Sequence, residues 1–251
     1  MKLVQRLPRW LLAVGLAVFC TAVGAAGLQV APIGLSFTPS SPAQGLWLTN
    51  TGSEALNAQV RVFDWTQNDG QDNLTPSQAL VVSPPMLSLE PGSRQLVRVI
   101  RTNAAASQAT ENAFRLLVDE LPPAEQAQQT GIRYVLRYSV PVFIEPAENK
   151  PDVPEVAAAL RWSLVREGDG IALQAHNSGS SHAQISVARL MLADNQSVDI
   201  SQGLLGYVLP NMTMRWTINV PADQLNSGTQ LKARINGKML EQTFPVGDLS
   251  D

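Results

Sequence analysis

The stretch from Gly131 to Phe143 constrains the fold of this chain more than any other. It reads GIRYVLRYSVPVF, and apolar or aromatic residues occupy every second position, at Ile132, Tyr134, Leu136, Tyr138, Val140 and Val142. A period of two is typical of a β-strand with one apolar face. Arg133 and Arg137 lie on the other face, so that face is not simply buried. The pattern predicts a long strand that is either covered by its own domain or exposed as an edge with which another chain pairs.

The first 26 residues have the three-part pattern of a secretory signal peptide. Three basic residues precede an apolar run from Trp10 to Cys20, and small residues follow up to Ala26. The run is short for a membrane span of about 20 residues, and the small residues favour cleavage after Ala26 or Ala25 over a retained anchor. The bulky Phe19 before Cys20 disfavours a lipid anchor. We therefore predict an exported protein.

Charge and cysteine content exclude several functions for the exported part. Removing residues 1–26 leaves 15 basic and 21 acidic residues, a net charge of −6. This balance disfavours a general nucleic-acid binder, which needs clustered Lys and Arg on phosphates. Cys20 is the single cysteine, so the exported part has neither a disulfide nor a thiolate metal site. The remaining 225 residues suffice for two domains, each with a buried core.

Short strand patterns separated by turn signals run through the whole exported part. Before residue 146 they fall at Leu28–Phe37, Gly45–Thr49, Asn57–Trp65, Leu80–Leu89, Gln95–Arg101 and Phe114–Leu121, followed by the opening stretch. The pattern resumes after a proline-rich stretch with little apolar character. We predict an all-β protein of two immunoglobulin-like β-sandwich domains, residues 27–146 and 154–247, joined by a short linker at residues 147–153.

The sequence offers little that points to an enzyme. His176 and His182 flank a turn-like segment with no third ligand at metal-site spacing, so we interpret both as surface loop residues. Neither a nucleophile elbow, a phosphate loop nor a zinc-protease motif occurs. Asp119 and Glu120 are adjacent on a predicted strand and so point to opposite faces. We therefore predict recognition rather than catalysis, with no cofactor and no metal.

Two segments of the first domain resemble the periplasmic chaperones of pilus assembly by the chaperone-usher pathway. Ser83–Arg101 reads SPPMLSLEPGSRQLVRVIR and resembles that family's Pro-Pro, apolar, Pro-Gly, apolar-Arg pattern. Phe114–Pro123 reads FRLLVDELPP and is similar to its strand ending in Glu-Ile/Leu-Pro-Pro. The order of sandwich, proline-terminated strand, linker and second sandwich agrees as well. The resemblance covers essentially the whole exported part.

The resemblance implies a mechanism and a location. Chaperones of this family work in the periplasm, lend the last strand of their first domain to a pilus subunit that lacks one strand, and pass the subunit to an outer-membrane usher. The opening stretch would be this donor strand, with Ile132, Tyr134 and Leu136 filling pockets of the subunit and Tyr138 and Val140 continuing the same face. The implied partners are pilins and the usher, without nucleic acid or membrane insertion. Since a free edge strand invites aggregation, we expect either a self-capping dimer or disorder of the loop from Pro122 to Gly131 to protect it in the free protein.

Departures from the family pattern affect the anchor for the subunit's terminal carboxylate. The two basic residues of the better-studied branch fall on Gly34 and Pro141 here, and neither can bind a carboxylate through its side chain. The chain looks more like the archaic and alternative branches. Arginine binds carboxylates best. Arg115, on the strand expected beside the donor strand, is the first candidate, and the alternatives are Arg101, Arg98 and Arg137.

A second departure concerns the contact between the two domains. Glu120 matches a family carboxylate that helps to fix the interdomain angle, but the position of its basic partner holds Glu145 here. Arg234 or Lys238 of the second domain would have to substitute for that partner. The alternative function is a two-domain surface adhesin or a pilus structural subunit. A subunit should have an incomplete sandwich, whereas the first domain here has a complete set of predicted strands.

Overall fold

The computed structural model describes residues 27–103, 109–121, 135–147, 150–168, 170–192, 196–225 and 229–243. These residues form two β-sandwiches, one before and one after residue 150. The predicted all-β, two-domain immunoglobulin-like fold is therefore confirmed. The predicted signal peptide lies outside the described residues, and among the described helices none is long and apolar enough to cross a membrane.

The first domain packs a four-stranded sheet against a larger one. Its strands are β1 (Leu28–Ala31), β2 (Leu35–Phe37), β3 (Ala43–Asn50), β4 (Leu56–Asn68), β5 (Gln71–Pro76), β6 (Leu80–Ser83), β7 (Met86–Leu89), β8 (Arg94–Arg101), β9 (Asn112–Leu121) and β10 (Arg137–Ile144). One sheet has the order β1-β3-β8-β6, and the other has the order β2-β10-β9-β4-β5 with β7 beside β4. Alternate residues of the facing strands fill the core, in which Phe37, Leu48, Val97 and Leu116 are fully buried.

Two predicted strands of the first domain are each divided between the two sheets. Leu28–Phe37 is split into β1 and β2, since the chain crosses at residues 32–34 from one sheet to the edge of the other. Leu80–Leu89 is split at Pro84 and Pro85 into β6 and β7. Proline cannot donate to a ladder in a central strand, so the second break agrees with the sequence.

The β4–β5 hairpin is long enough to reach the second domain. Its two-residue turn is Asp69-Gly70, and both residues have positive φ, 51° and 75°. These values are typical of the type I′ turn that suits the twist of a hairpin. The register places Asn68 opposite Gln71, so the turn closes without a bulge and carries its tip beyond the sandwich.

The second domain is a smaller sandwich preceded by a short helix. Its elements are α1 (Val153–Ala158), β11 (Leu160–Glu167), β12 (Gly170–Asn177), β13 (Ala183–Met191), β14 (Ser197–Val208), β15 (Thr213–Ile218), β16 (Gln230–Ile235) and β17 (Lys238–Thr243), with a 3₁₀ turn at Ala222–Gln224. One sheet has the order β11-β12-β15 and the other β14-β13-β16-β17. The helix was not predicted, although Asp152 and Glu155 form a capping box at its start.

The two domains meet through backbone contacts as well as side chains. The tip of the β4–β5 hairpin forms a parallel bridge from Gly70 to Met214 of β15. Gln67, only 2% exposed, donates to the carbonyl of Tyr207 and accepts from the amide of Leu209, each at 2.9 Å. Between these contacts lies an aromatic and apolar cluster of Trp65, Phe143, Tyr207 and Leu209.

Candidate functional site: the open edge of strand β10

One edge of β10 has no strand partner over most of its length. β10 pairs with β9 from Arg137 to Ile144, but β2 covers its other edge only at Val142–Ile144. Among the described residues no strand pairs with that edge between Arg137 and Pro141. Such an edge presents unpaired backbone N–H and C=O groups to which another strand can bond.

The position of Pro141 fits this edge. The amide of Glu120 donates to the carbonyl of Leu136 at 2.9 Å, so Leu136 and the even-numbered residues after it bond to β9. Odd-numbered residues therefore turn their backbone groups to the open edge. Pro141 is one of these, and its missing N–H removes no hydrogen bond from the β9 ladder.

The predicted donor-strand residues differ in how deeply they are buried in their own domain. Ile132 and Tyr134 lie outside the described residues. Val140 is 3% exposed and belongs to the core, so it is not available to another chain. Tyr138 is half-buried, and its hydroxyl donates to the carbonyl of Leu28 at 2.5 Å. Leu136 is also half-buried, and its Cδ1 lies 3.0 Å from where a Cβ on Gly27 would be.

Arg137 is engaged by a neighbouring carboxylate. Its Nε donates to Oδ1 of Asp119, while Nη2 of Arg61 contacts Oδ2 of the same carboxylate at 2.8 Å. Burial raises the pKa of Asp119, but the hydrogen bonds and charges of the two arginines outweigh burial, so its pKa is lowered overall. Of the four candidate arginines, Arg137 is thus one that already has a carboxylate partner.

Arg115 lies in the cleft between the domains. It is directly opposite Pro141 in the β9–β10 register, and its guanidinium carbon lies 3.6 Å from the ring centroid of Trp65 and 5.3 Å from that of Tyr207. Its side chain is 13% exposed, and Asp72 lies 4.0 Å away. Burial lowers the pKa of Arg115, and the negative charge of Asp72 offsets this effect only in part.

Arg115 also borders a cavity of about 440 Å³ that both domains line. The described residues provide no hydrogen-bond acceptor for its guanidinium, although Asp72 forms a long ion pair with it. The stacking on Trp65 turns the guanidinium toward the β4–β5 hairpin rather than toward the open edge of β10. A ligand carboxylate would therefore have to enter the cleft to reach it.

The two remaining arginines lie on β8, in the other sheet. Arg101 is buried, and its Nη1 donates to the carbonyls of Thr38 and Pro39 at 3.3 and 3.0 Å. Arg98 is exposed on the outer part of the domain. Neither lies beside the open edge of β10. Gly34 and Pro141, by contrast, are neighbours, since a Cβ on Gly34 would lie 3.6 Å from Cγ of Pro141.

Glu120 is far from the second domain. It lies near the end of β9 opposite Ala58, whereas the interdomain contacts involve Trp65 and Gln67, seven or more residues further along β4. At about 3.3 Å per residue this separation is roughly 20 Å. Arg234 and Lys238 are exposed on β16 and β17. The structure does not bring these three residues together, and Glu145 is bonded instead to Ser36 and Lys150.

Sequence reasoning missed the polar pair that joins the domains. Glu111, immediately before β9, accepts from the backbone amide of His182 at 3.1 Å and from its Nδ1 at 2.7 Å. The His182 ring stacks on Phe143 of β10 with centroids 3.6 Å apart. The interpretation of His182 as a plain surface loop residue is therefore wrong. The same interpretation is wrong for His176, which lies half-buried in strand β12 and is hydrogen-bonded to Thr213 at 2.9 Å.

Comparison with known proteins identifies the family. Residues 27–150 match the pili and flagellar-assembly chaperone family, PapD N-terminal domain. Chaperone protein SefB of Salmonella enteritidis is 22% identical over 74% of this chain and 70% of its own length. The uncharacterized fimbrial chaperone YcbF of Escherichia coli is 25% identical over 57% of this chain and 61% of that protein.

A solved structure shows the same fold over both domains. The CsuC–CsuE chaperone–tip adhesion subunit pre-assembly complex, from archaic chaperone-usher Csu pili of Acinetobacter baumannii, contains a chain that matches with a TM-score of 0.67. The match covers 86% of this chain and 97% of that one at 22% identity. The first domain of this chain, residues 27–150, therefore belongs to the family of pili and flagellar-assembly chaperones.

Proposed function

We propose that this protein is a periplasmic, non-enzymatic chaperone that binds pilus subunits by lending them strand β10 and delivers them to an outer-membrane usher. The observation that carries the proposal is the open edge of β10 from Arg137 to Pro141, with the half-buried Leu136 and Tyr138 beside it. The family match and the archaic chaperone–subunit complex among the structural neighbours support it.

Strand addition supplies two kinds of interaction. Backbone groups of Arg137, Ser139 and Pro141 would bond to a strand of the subunit, and side chains on the apolar face would fill its open core. Burying one side chain such as Leu136 contributes about 1.5–3 kcal/mol, less the cost of ordering both chains. Ile132 and Tyr134 would extend this face, and in the free protein a second copy of the chain would cover the same edge.

Arg115 is our proposed anchor for the carboxylate at the subunit's C-terminus. The described residues leave its guanidinium without a hydrogen-bond acceptor, with only the ion pair to Asp72 at 4.0 Å. A carboxylate entering the cleft could accept two parallel hydrogen bonds from it. Gly34 and Pro141 lack the side chains for this role, which supports assignment of the protein to the archaic or alternative branch.

Paired substitutions on adjacent residues test the proposal. Leu136 and Val135 are neighbours with opposite orientations, and Val135 is 50% exposed. We expect Leu136→Glu to abolish stabilisation of a co-expressed pilus subunit in a pull-down, because a charge cannot enter the subunit's core. Val135→Glu should retain a soluble one-to-one complex, and both variants should unfold at the wild-type temperature.

Two outcomes would contradict the proposal. Retained stabilisation by the folded Leu136→Glu variant would mean that β10 is not the strand provided. A wild-type protein that is secreted and binds a ligand, but forms no complex with any co-expressed subunit, would indicate a surface adhesin instead.

A further inference from the structure

The first domain holds β10 through the ion pair of Arg137 with Asp119, the hydrogen bond from Tyr138 to Leu28 and the core residues Val140, Val142 and Ile144. β9 bonds to its full length, but β2 pairs with only three of its residues. The buried face excludes a shift of one residue. A shift of two residues keeps every side chain on the same face, and the hydrogen bonds to β9 alone do not exclude it. The neighbouring positions Gly34 and Pro141 provide no charged side chain that could lock the strand.

Phe143 ties the end of this strand to the second domain. Val142 and Ile144 point into the core of the first domain, whereas Phe143 points the other way and is buried against domain two. Its ring is nearly parallel to that of His182, with an interplanar angle of 7° and a centroid separation of 3.6 Å. Trp65 and Tyr207 flank it at 5.9 and 6.0 Å.

The orientation of His182 is itself fixed by the first domain. The Glu111 side chain is 2% exposed, and its Oε1 accepts from both the ring and the backbone amide of His182. The backbone amide of Glu111 donates to the carbonyl of Ser180 at 2.8 Å. One residue immediately before β9 therefore holds the segment before β13 by three hydrogen bonds.

We propose that His182 is a positioning residue that contributes to fixing the register of β10 at its C-terminal end, with its ring held by Glu111 and stacked on Phe143. The second domain thus clamps the C-terminal end of the strand and leaves its N-terminal half as the open edge. The functional part of this inference rests on the proposed chaperone function, whereas the clamp itself is a property of the free protein.

Amide hydrogen exchange tests the clamp without any partner. In the His182→Ala variant we expect exchange of the β10 amides to rise about two- to tenfold, the range expected for loss of one aromatic pair. Exchange in β3 and β8, in the other sheet, should stay unchanged. His182→Phe keeps the stack and should restore protection, whereas His182→Asn keeps a side-chain donor without the ring and should behave like His182→Ala.

Cysteine cross-linking then measures register in the complex. Cys20 is the single cysteine and lies in the predicted signal peptide, so Leu136→Cys gives one reporter thiol. A series of pilus-subunit variants, each with one cysteine along the strand that pairs with β10, is co-expressed with Leu136→Cys. We expect one of these subunit positions to give most of the cross-linked product. With His182→Ala the yield should fall about two- to tenfold there and reappear two residues away. His182→Phe should keep the single position.

The outcomes separate the two proposals. Unchanged exchange and a single cross-linked position in His182→Ala would overturn the clamp but leave the chaperone function supported. Failure of Leu136→Cys to cross-link to any subunit position in an otherwise wild-type background would overturn the donor-strand function, whatever the exchange result. If His182→Ala does not fold, the Phe and Asn variants decide between stacking and hydrogen bonding.

Discussion

Arg115 carries a positive charge that its own protein neutralises only partly. Its side chain is largely buried, yet the nearest carboxylate, Asp72, is 4.0 Å away and itself 46% exposed. Removing a guanidinium from water without a close partner is costly, and stacking on Trp65 recovers only part of that cost. A ligand that brings a carboxylate into the cleft would complete the missing interaction.

We predict that Arg115→Ala weakens subunit binding without unfolding the chaperone. Loss of charge-assisted hydrogen bonds of about 1.5–3 kcal/mol corresponds to roughly ten- to hundredfold weaker binding. Co-purification with a pilus subunit and a thermal melting curve measure the two properties. Arg98→Ala, which removes an exposed arginine from the other sheet, is the matched control. Normal co-purification by Arg115→Ala with a normal melting curve would rule out the anchor.

Single residues are also where prediction from sequence was weakest. The alternation in the opening stretch correctly placed Tyr138 and Val140 on one face, because a period of two is a local property of the strand. The alternation could not show that Val140 is buried in the core of the first domain. Glu111 and His182 are 71 residues apart and belong to different domains, and nothing local in the sequence links them.

At the scale of elements, the start of β10 is held by a charged group that spans three strands. Asp119 on β9 contacts Arg61 on β4 and Arg137 on β10. The lowered pKa of its carboxyl means that the ionised form is favoured in the folded state. These ion pairs therefore stabilise the protein above the unfolded-state pKa of about 4, and that contribution is lost as the pH falls through the folded-state pKa.

Asp119→Asn should make stability less dependent on pH. At pH 7 we expect the variant to lose about 1 kcal/mol in the free energy of unfolding, since both arginines are partly exposed and the pairs are screened. At a pH below the lowered pKa of Asp119, where the wild-type carboxyl also becomes protonated, the difference should shrink. Urea denaturation at the two pH values measures the difference in the free energy of unfolding between the wild type and the variant. An equal difference at both pH values would contradict a stabilising role of the ionised Asp119 carboxylate.

Element boundaries followed the sequence where proline or turn residues set them. Pro84 and Pro85 separate β6 from β7, and Asp69-Gly70 closes the β4–β5 hairpin as its composition predicts. β14 is a different case, since it extends over twelve residues from Ser197 to Val208. Its pairing with β13 shifts register at three places around Val187, which has a φ of 50°, and such irregular pairing erases a simple alternation.

At the scale of the whole molecule, the β4–β5 hairpin joins the domains through a very close approach. A Cβ on Gly70 would lie 3.2 Å from Cβ of Arg215 and 3.4 Å from its backbone nitrogen. The bridge to Met214 requires this closeness. Among the described residues, the Gly70–Met214 bridge and the Glu111–His182 pair are thus two separate contacts between the domains.

Gly70→Ala should therefore disturb the arrangement of the domains, whereas Gly92→Ala should not. Both glycines have similar positive φ, 75° and 70°, but a Cβ on Gly92 would meet nothing within 4 Å. Each substitution should cost about 1–2 kcal/mol for the left-handed conformation. Only Gly70→Ala should also increase the radius of gyration in small-angle X-ray scattering. An equal radius for the two variants would show that the hairpin contact does not set the interdomain angle.

The short pairing between β2 and β10 has a consequence for the length of any strand added to the open edge. β2 occupies that edge from Val142 onward, so an added strand meets a physical stop next to Pro141. The free part from Arg137 to Pro141 spans about 16 Å at 3.3 Å per residue. The fold therefore limits an added strand at one end only. Such a strand can extend past Arg137, but it must end next to Pro141, where β2 begins to pair with β10.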